Sequence, residues 1–261
     1  VGLGAEGRTV QVECTLQDMR DEPTVRGAVL TMRDVTERRR LESDLAHQAF
    51  HDTLTGLANR LLLQNRMEHA LTLAQRDRSV VGLLFIDIDD FKVVNDTLGL
   101  VVGDRLLAAV GARIAGVVGP QETVARIGGD EFAVLIEQSH GPAEADDVAA
   151  RIVEACAEPF ELRYDTGGTA MVGGAVSIGV TTSVEAHDAA EMQRQADLAL
   201  YVSKGDGKGR YQRYRADLHT AMVQRLETRA NIVIEDVEGW PVLVNQGKIF
   251  YLAAIGSKAL T

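Results

Sequence analysis

ARIGGDEFAVL, from Ala125 to Leu135, is the stretch on which the reading of the fold turns. Paired glycines take positive φ without strain, so Thr123 to Glu137 reads as a β-hairpin with Gly128 and Gly129 at its turn. Phe132, Val134 and Ile136 then alternate along the second strand as core residues. Asp130 and Glu131 stand just past the turn, where the backbone can approach a phosphate closely and two carboxylates project from a rigid support. That arrangement suits a metal–phosphate site.

Upstream, VVGLLFIDID is a continuous apolar run of the kind that forms a buried central strand. Asp87 and Asp89 would share one face of that strand, and the ends of central strands are where α/β sheets hold ligands. Hard cations such as Mg²⁺ take oxygen ligands, which Asp87 and Asp130 from neighbouring strands could share. Helices are predicted over Asp90 to Leu98 and Gly103 to Val117, with Gly99 ending the first. On the first of these Asn95 shares a face with Phe91 and Lys92, so it could read a base edge while Lys92 meets phosphate. An ordinary surface helix residue is the plainer reading of Asn95 taken alone.

Outward from this centre, a turn-rich DTLTGLAN leads into a helix from Arg60 to Ala74, with Asp52 and Arg60 expected to pair across the entry turn. Ala143 to Ala157 and Asp188 to Lys204 read as helices, Phe160 to Tyr164 and Gly174 to Thr182 as strands, and Lys208 to Arg213 as a closing strand. The alternation gives an α/β fold, a mixed β-sheet flanked by helices. Lys204 at a helix end and Lys208 in the following glycine-rich loop could neutralise a triphosphate, although two such lysines are usually a solvated loop.

The flanks read differently. RTVQVECTL and VRGAVLTMRD alternate with period two as a β-hairpin, and Asp34 with Glu37 resembles a capping box opening a helix whose Leu41, Leu45 and Ala49 form a narrow apolar stripe. Such a stripe suits a short dimeric coiled coil. After Arg215 the sequence carries no motif, only two short strand patterns, Ile232 to Ile234 and Pro241 to Val244. The domain reading is therefore 1–33, a linking helix at 34–51, a main domain at 52–214 and an unassigned tail at 215–261.

Across 261 residues, 46% hydrophobic and 25% charged residues describe an ordinary folded chain. The formal net charge of −11 disfavours nucleic acid and anionic membrane as partners. No run is long and apolar enough to span a membrane, and Cys14 and Cys156 suit a reducing cytoplasm as two buried hydrophobes.

HDTLTGLANR, DIDDFKVVNDTLGLVVGD, RIGGDEF and YVSKGDGKGRY occur in the order and spacing of the GGDEF family of diguanylate cyclases, which the chain resembles over about 165 residues. The resemblance implies a palm-like nucleotide-cyclase fold, and a homodimer in which two GTP-loaded domains each supply half of an active site making cyclic di-GMP. It implies Mg²⁺ or Mn²⁺ held by Asp87, the Ile88 carbonyl and Asp130, with Asp130 and Glu131 as the catalytic acidic pair. Asn95 and Asp104 would bond guanine; Phe91, Lys92, Gly128, Gly129, Lys204 and Lys208 would border the rest of the nucleotide. Gly119 and Glu122 replace an Arg-x-x-Asp pair that serves product inhibition in the family, Leu100 replaces a usual histidine, and Lys208 a frequent arginine. The opening hairpin and the VLTMRDVTERRRLE ending resemble the last strands of a PAS sensory domain leading into a signalling helix. The competing expectations are a non-catalytic GTP-binding regulator and a pure dimerisation module.

Overall fold

The computed structural model describes residues 10–20, 24, 27–139, 141–163, 167–218, 233–237, 240–245 and 248–251. The chain divides into two units, Val1–His51 and Asp52–Thr261.

In the first unit β1 (Val12–Met19) pairs antiparallel with β2 (Gly27–Asp34), and α1 (Thr36–Phe50) follows. The helix start differs from the capping-box expectation: Asp34 ends the strand, and its carboxylate accepts from the Thr36 N–H at 2.9 Å and the Thr36 hydroxyl at 2.6 Å. A side chain that closes on the residue two positions along cannot also reach the third turn position that a capping box uses. Cys14 is exposed, against expectation, and so are Leu16, Leu30 and Met32 on the same hairpin.

The second unit opens with β3 (Ala58–Asn59), a two-residue strand inside the segment read as turn, and α2 (Arg60–Asp77), whose Leu62 N–H is capped by the Asn59 side chain at 3.0 Å. The order continues β4 (Val80–Ile88), α3 (Phe91–Leu98), α4 (Leu100–Val117), β5 (Thr123–Gly128), β6 (Glu131–Ser139) and α5 (Ala143–Ala157). It ends in β7 (Phe160–Arg163), β8 (Thr169–Val172), β9 (Val176–Thr182), α6 (Ala189–Gly205) and β10 (Tyr211–Arg213). In the tail β11 (Val233–Val237), β12 (Trp240–Asn245) and β13 (Lys248–Tyr251) form a three-stranded antiparallel sheet; Ile232 lies outside the described residues.

Six strands make one mixed sheet in the order β10-β9-β4-β6-β5-β3. The apolar run is central, as expected, with β4 antiparallel to β6 on one side and to β9 on the other. Both faces are covered, which is why the run needs no polar alternation. On one face Leu84, Ile86 and Ile88 join a core with Leu106, Val110 and Ile114 of α4 and Val148 and Ile152 of α5. On the other, Val81 and Leu83 meet Leu63 and Met67 of α2 and Met192 and Ala196 of α6. β7 and β8 form a separate hairpin, of which the sequence reading had only the first strand.

One glycine fixes how closely α6 approaches the sheet. A Cβ at Gly179 in β9 would overlap the Ala196 carbonyl and the Leu200 nitrogen, both backbone atoms that cannot swing aside. Gly179→Ala is expected to destabilise the protein by about 2 kcal/mol or more in chemical denaturation. Gly116→Ala in α4, where a new Cβ meets nothing within 4 Å, should be neutral or stabilising by up to about 1 kcal/mol.

Candidate functional site

Sheet register builds the site. Asp87, the penultimate residue of β4, lies directly opposite Glu131, the first residue of β6, and opposite Ser177 of β9. Asp130 is the last turn residue before β6, and its carbonyl accepts the Ile88 N–H at 3.4 Å. The expected meeting of Asp87, Ile88, Asp130 and Glu131 at one strand end is therefore present, with Asp130 contributed by the turn rather than by a strand. Gly129 adopts φ 55° and Gly128 φ 153°, and a Cβ on either would meet nothing within 4 Å. The glycines thus serve backbone conformation and leave open space above the turn.

Asp87 is only 8% exposed. Burial pushes its carboxyl up to about 6; the Lys204 ammonium, 2.6 Å away, counters this, and the charges of Asp130 and Asp89 add to it. Glu131 is likewise raised, first by burial and then by the charges of Asp87, Asp197 and Asp130, with Arg60 opposing. A desolvated group of carboxylates with one ammonium in contact is a place where positive charge is wanted.

The chemistry of the donors fits a small hard cation. Among the described residues no group of three or more His, Cys, Asp or Glu side chains is arranged to hold an ion unaided. Two carboxylates and a carbonyl suit Mg²⁺, which retains water and takes its remaining oxygens from substrate phosphates.

Asp89 does not join this cluster. It lies past the end of β4, where one carboxylate oxygen accepts the Ser177 hydroxyl at 2.8 Å and the other the Gly209 N–H at 2.9 Å. Its neighbour Asp90 adopts φ 57° and pairs with Lys208, itself at φ 58°, at 2.7 Å. That carboxylate raises the Lys208 ammonium above its ordinary range. Two non-glycine residues in the left-handed region, joined by an ion pair, tie the loop after α6 to the loop before α3.

The base-side residues are placed less uniformly. Phe91 is 9% exposed and its ring belongs to the core; the N–H groups of Phe91 and Lys92, in the first turn of α3, lack intrahelical partners and remain available to an anion. Lys92 and Asp104 are exposed. Asn95 lies over Gly103, where any Cβ would overlap its Oδ1, and that buried oxygen has no hydrogen-bond partner. A buried acceptor without a donor is one a ligand N–H can satisfy.

Asp52 pairs with Arg126, not with Arg60. Its carboxylate accepts from Arg126 Nη1 at 3.1 Å and from the Thr55 N–H and hydroxyl, while Arg126 also donates to the Gly129 carbonyl at 2.8 Å. Burial alone would raise the Asp52 carboxyl, but the bonds from Thr55 and Arg126 outweigh it and hold it low. Arg60 instead lines a cavity of about 260 Å³ beside Glu131, together with Phe85, Gln193, Arg194 and Asp197. Asp197 was missed by sequence reasoning. Its carboxyl is raised by burial, with Lys204 opposing, and it lies on α6 seven residues before Lys204. That spacing puts both on one helix face, which was the available signal.

The family described as "Diguanylate cyclase, GGDEF domain" matches residues 49–210. The diguanylate cyclase TpbB of Pseudomonas aeruginosa is 39% identical over 168 residues, 64% of this chain and 38% of that protein. The bifunctional diguanylate cyclase/cyclic di-GMP phosphodiesterase MucR of the same species is 36% identical over 193 residues, 74% of this chain and 27% of that one. The chain thus spans about two fifths or less of these relatives' length. The solved GGDEF domain of TpbB superposes with a TM-score of 0.62 at 35% identity, covering 66% of this chain and 98% of that domain.

The raised Asp87 carboxyl has a measurable consequence. Folding favours its protonated form, so this contribution to stability is fullest below the ordinary value of 3.8 and declines as pH rises toward about 6. Asp87→Asn removes the charge, and without divalent metal the variant should be more stable than wild type above pH 6 by about 1–3 kcal/mol. The advantage should fade by about pH 4 in denaturant titrations across pH.

Proposed function

The chain belongs to the GGDEF family, and on that premise we propose that it is a diguanylate cyclase, joining two GTP molecules into cyclic di-GMP with release of two pyrophosphates. The observation that carries the reading is the register of β4 against β6, which sets Asp87 and Glu131 opposite each other with Asp130 at the adjoining turn. The activity, substrate and partners are inferred for this chain from its site and from its relatives' names.

In this reading Asp87, the Ile88 carbonyl and Asp130 hold Mg²⁺ or Mn²⁺. The ions would lower the pKa of an attacking hydroxyl and neutralise charge on the transferring phosphoryl group. Lys204 and Lys208 border the β- and γ-phosphates, with Lys92 and the first N–H groups of α3 on the same triphosphate. The turn of Gly128 and Gly129 lets the nucleotide approach the backbone. Asn95 Oδ1 accepts from guanine, and Asp104 at the neighbouring helix position supplies a second acceptor. Glu131, whose carboxylate burial makes more basic, takes the proton of the 3′-hydroxyl that attacks the α-phosphate in line, and pyrophosphate leaves.

Two domains must meet for each hydroxyl to reach the other nucleotide, so the working species is a homodimer, through these domains and the Asp34 to Phe50 helix. The opening hairpin is read as the end of a PAS-type sensor, and the cytoplasm, where GTP is held, as the compartment. Gly119 and Glu122 offer no guanidinium–carboxylate pair, so product should not inhibit through that position; Glu122 folds back over Gly119.

Purified protein with GTP and Mg²⁺ or Mn²⁺ should form cyclic di-GMP, with specific activity rising as protein concentration rises. Asp130→Ala or Glu131→Ala should lower turnover by about 10²-fold or more. GTP binding without product at high protein concentration would instead favour a nucleotide-binding regulator.

A further inference from the structure

Lys204 has two claims on it. As a phosphate-bordering residue it should reach toward a triphosphate, yet its ammonium sits 2.6 Å from Asp87 Oδ2 at the strand end where the carboxylates converge. Asp87 is nearly buried, so little water screens the pair, while Lys204 keeps about two fifths of its side chain exposed and is free to turn outward. Its helix is not free to move. Gly179 fixes the backbone of α6 against β9, and the next loop is tied down by the bonds from Gly209 to Asp89 and from Lys208 to Asp90.

We propose that Lys204 is a placeholder cation: without nucleotide it neutralises Asp87 and competes with divalent metal there, and an arriving triphosphate draws it off. The inference rests on the reading of Asp87 as a metal ligand. Its consequence is that metal and nucleotide bind as a pair. Metal alone must displace an ammonium in contact with Asp87, leaving it only the more distant charge of Asp197, and nucleotide alone would leave Asp87 without a cation once Lys204 has moved. By linkage, each then tightens the other by the same factor. The chain would be protected from holding a divalent ion unproductively, and from holding GTP without the ion that its chemistry uses.

The test is Mn²⁺ binding to the full chain, read from the loss of the free-ion electron paramagnetic resonance signal, so it does not depend on turnover. Without nucleotide, Lys204→Gln should bind Mn²⁺ at least about tenfold more tightly than wild type, since a unit charge in contact with the ligand has been removed. Lys204→Arg keeps the charge and should stay within about threefold of wild type. Adding Asp87→Asn to Lys204→Gln should erase the gain. A non-hydrolysable GTP analogue should tighten Mn²⁺ binding strongly in wild type and much less in Lys204→Gln. If Lys204→Gln binds Mn²⁺ no more tightly than wild type, while the analogue still promotes binding that depends on Asp87, the placeholder role is wrong and the metal site stands. If Asp87→Asn changes Mn²⁺ binding neither with nor without the analogue, the metal-site reading falls, and the placeholder with it.

Discussion

The structure is organised around an electrostatic conflict: backbone pairing holds Asp87 and Glu131 opposite each other at one strand end, beside Asp130 in the adjoining turn, where burial and neighbouring carboxylate charges oppose the ionisation of Asp87 and Glu131. A carboxylate on a mobile loop would turn to water. Here it cannot, because β4 is hydrogen-bonded on both sides and packed on both faces, so the cost is carried by the cohesion of the surrounding sheet. That concentrated negative charge favours a cation in contact with it, as the Lys204 ammonium is with Asp87.

Holding the loops takes polar residues that contact no reacting atom. Arg126 ties the entry turn at Asp52 to the carbonyl of Gly129, so the start of the domain and the glycine turn share one guanidinium. Asp89 ties β9 to the loop after α6. Further out, Arg213 reaches Asp146 at 2.8 Å and Glu185 at 2.6 Å, fixing the short closing strand to both neighbouring segments. These bridges convert a rigid sheet into rigid loops, so the side chains around the strand end keep their places.

Much of this was legible in the chain itself. The central strand and the glycine hairpin follow from period and turn chemistry, and the helices over 91–98, 143–157 and 189–205 follow from apolar spacing and caps. What escaped was tertiary. A two-residue strand at Ala58–Asn59 carries no period, and β8, four residues long, is no longer than a loop fragment. Choosing Arg126 over Arg60 for Asp52 requires knowing that β5 runs beside the entry turn, since both arginines are plausible by charge alone. That the ring of Phe91 packs into the core, inside an otherwise polar motif, is likewise set by the packing of α3 and not by the local sequence. The spacing of Asp197 from Lys204 puts the two on one helix face, but nothing local shows that this face turns toward Glu131.

The same face explains why α6 does more than cover the sheet. Asp197 and Lys204 lie seven residues apart, two turns of helix, so their separation and direction are set by backbone geometry rather than by side-chain choice. The helix in turn is placed by contact with β9 at Gly179, with no intervening side chain to adjust. One backbone-to-backbone contact therefore fixes an acid beside Glu131 and an ammonium on Asp87 at once. A methyl group at position 179 that merely shifted the helix, without unfolding the domain, would displace both charges together, coupling the packing of the core to the electrostatics of the site.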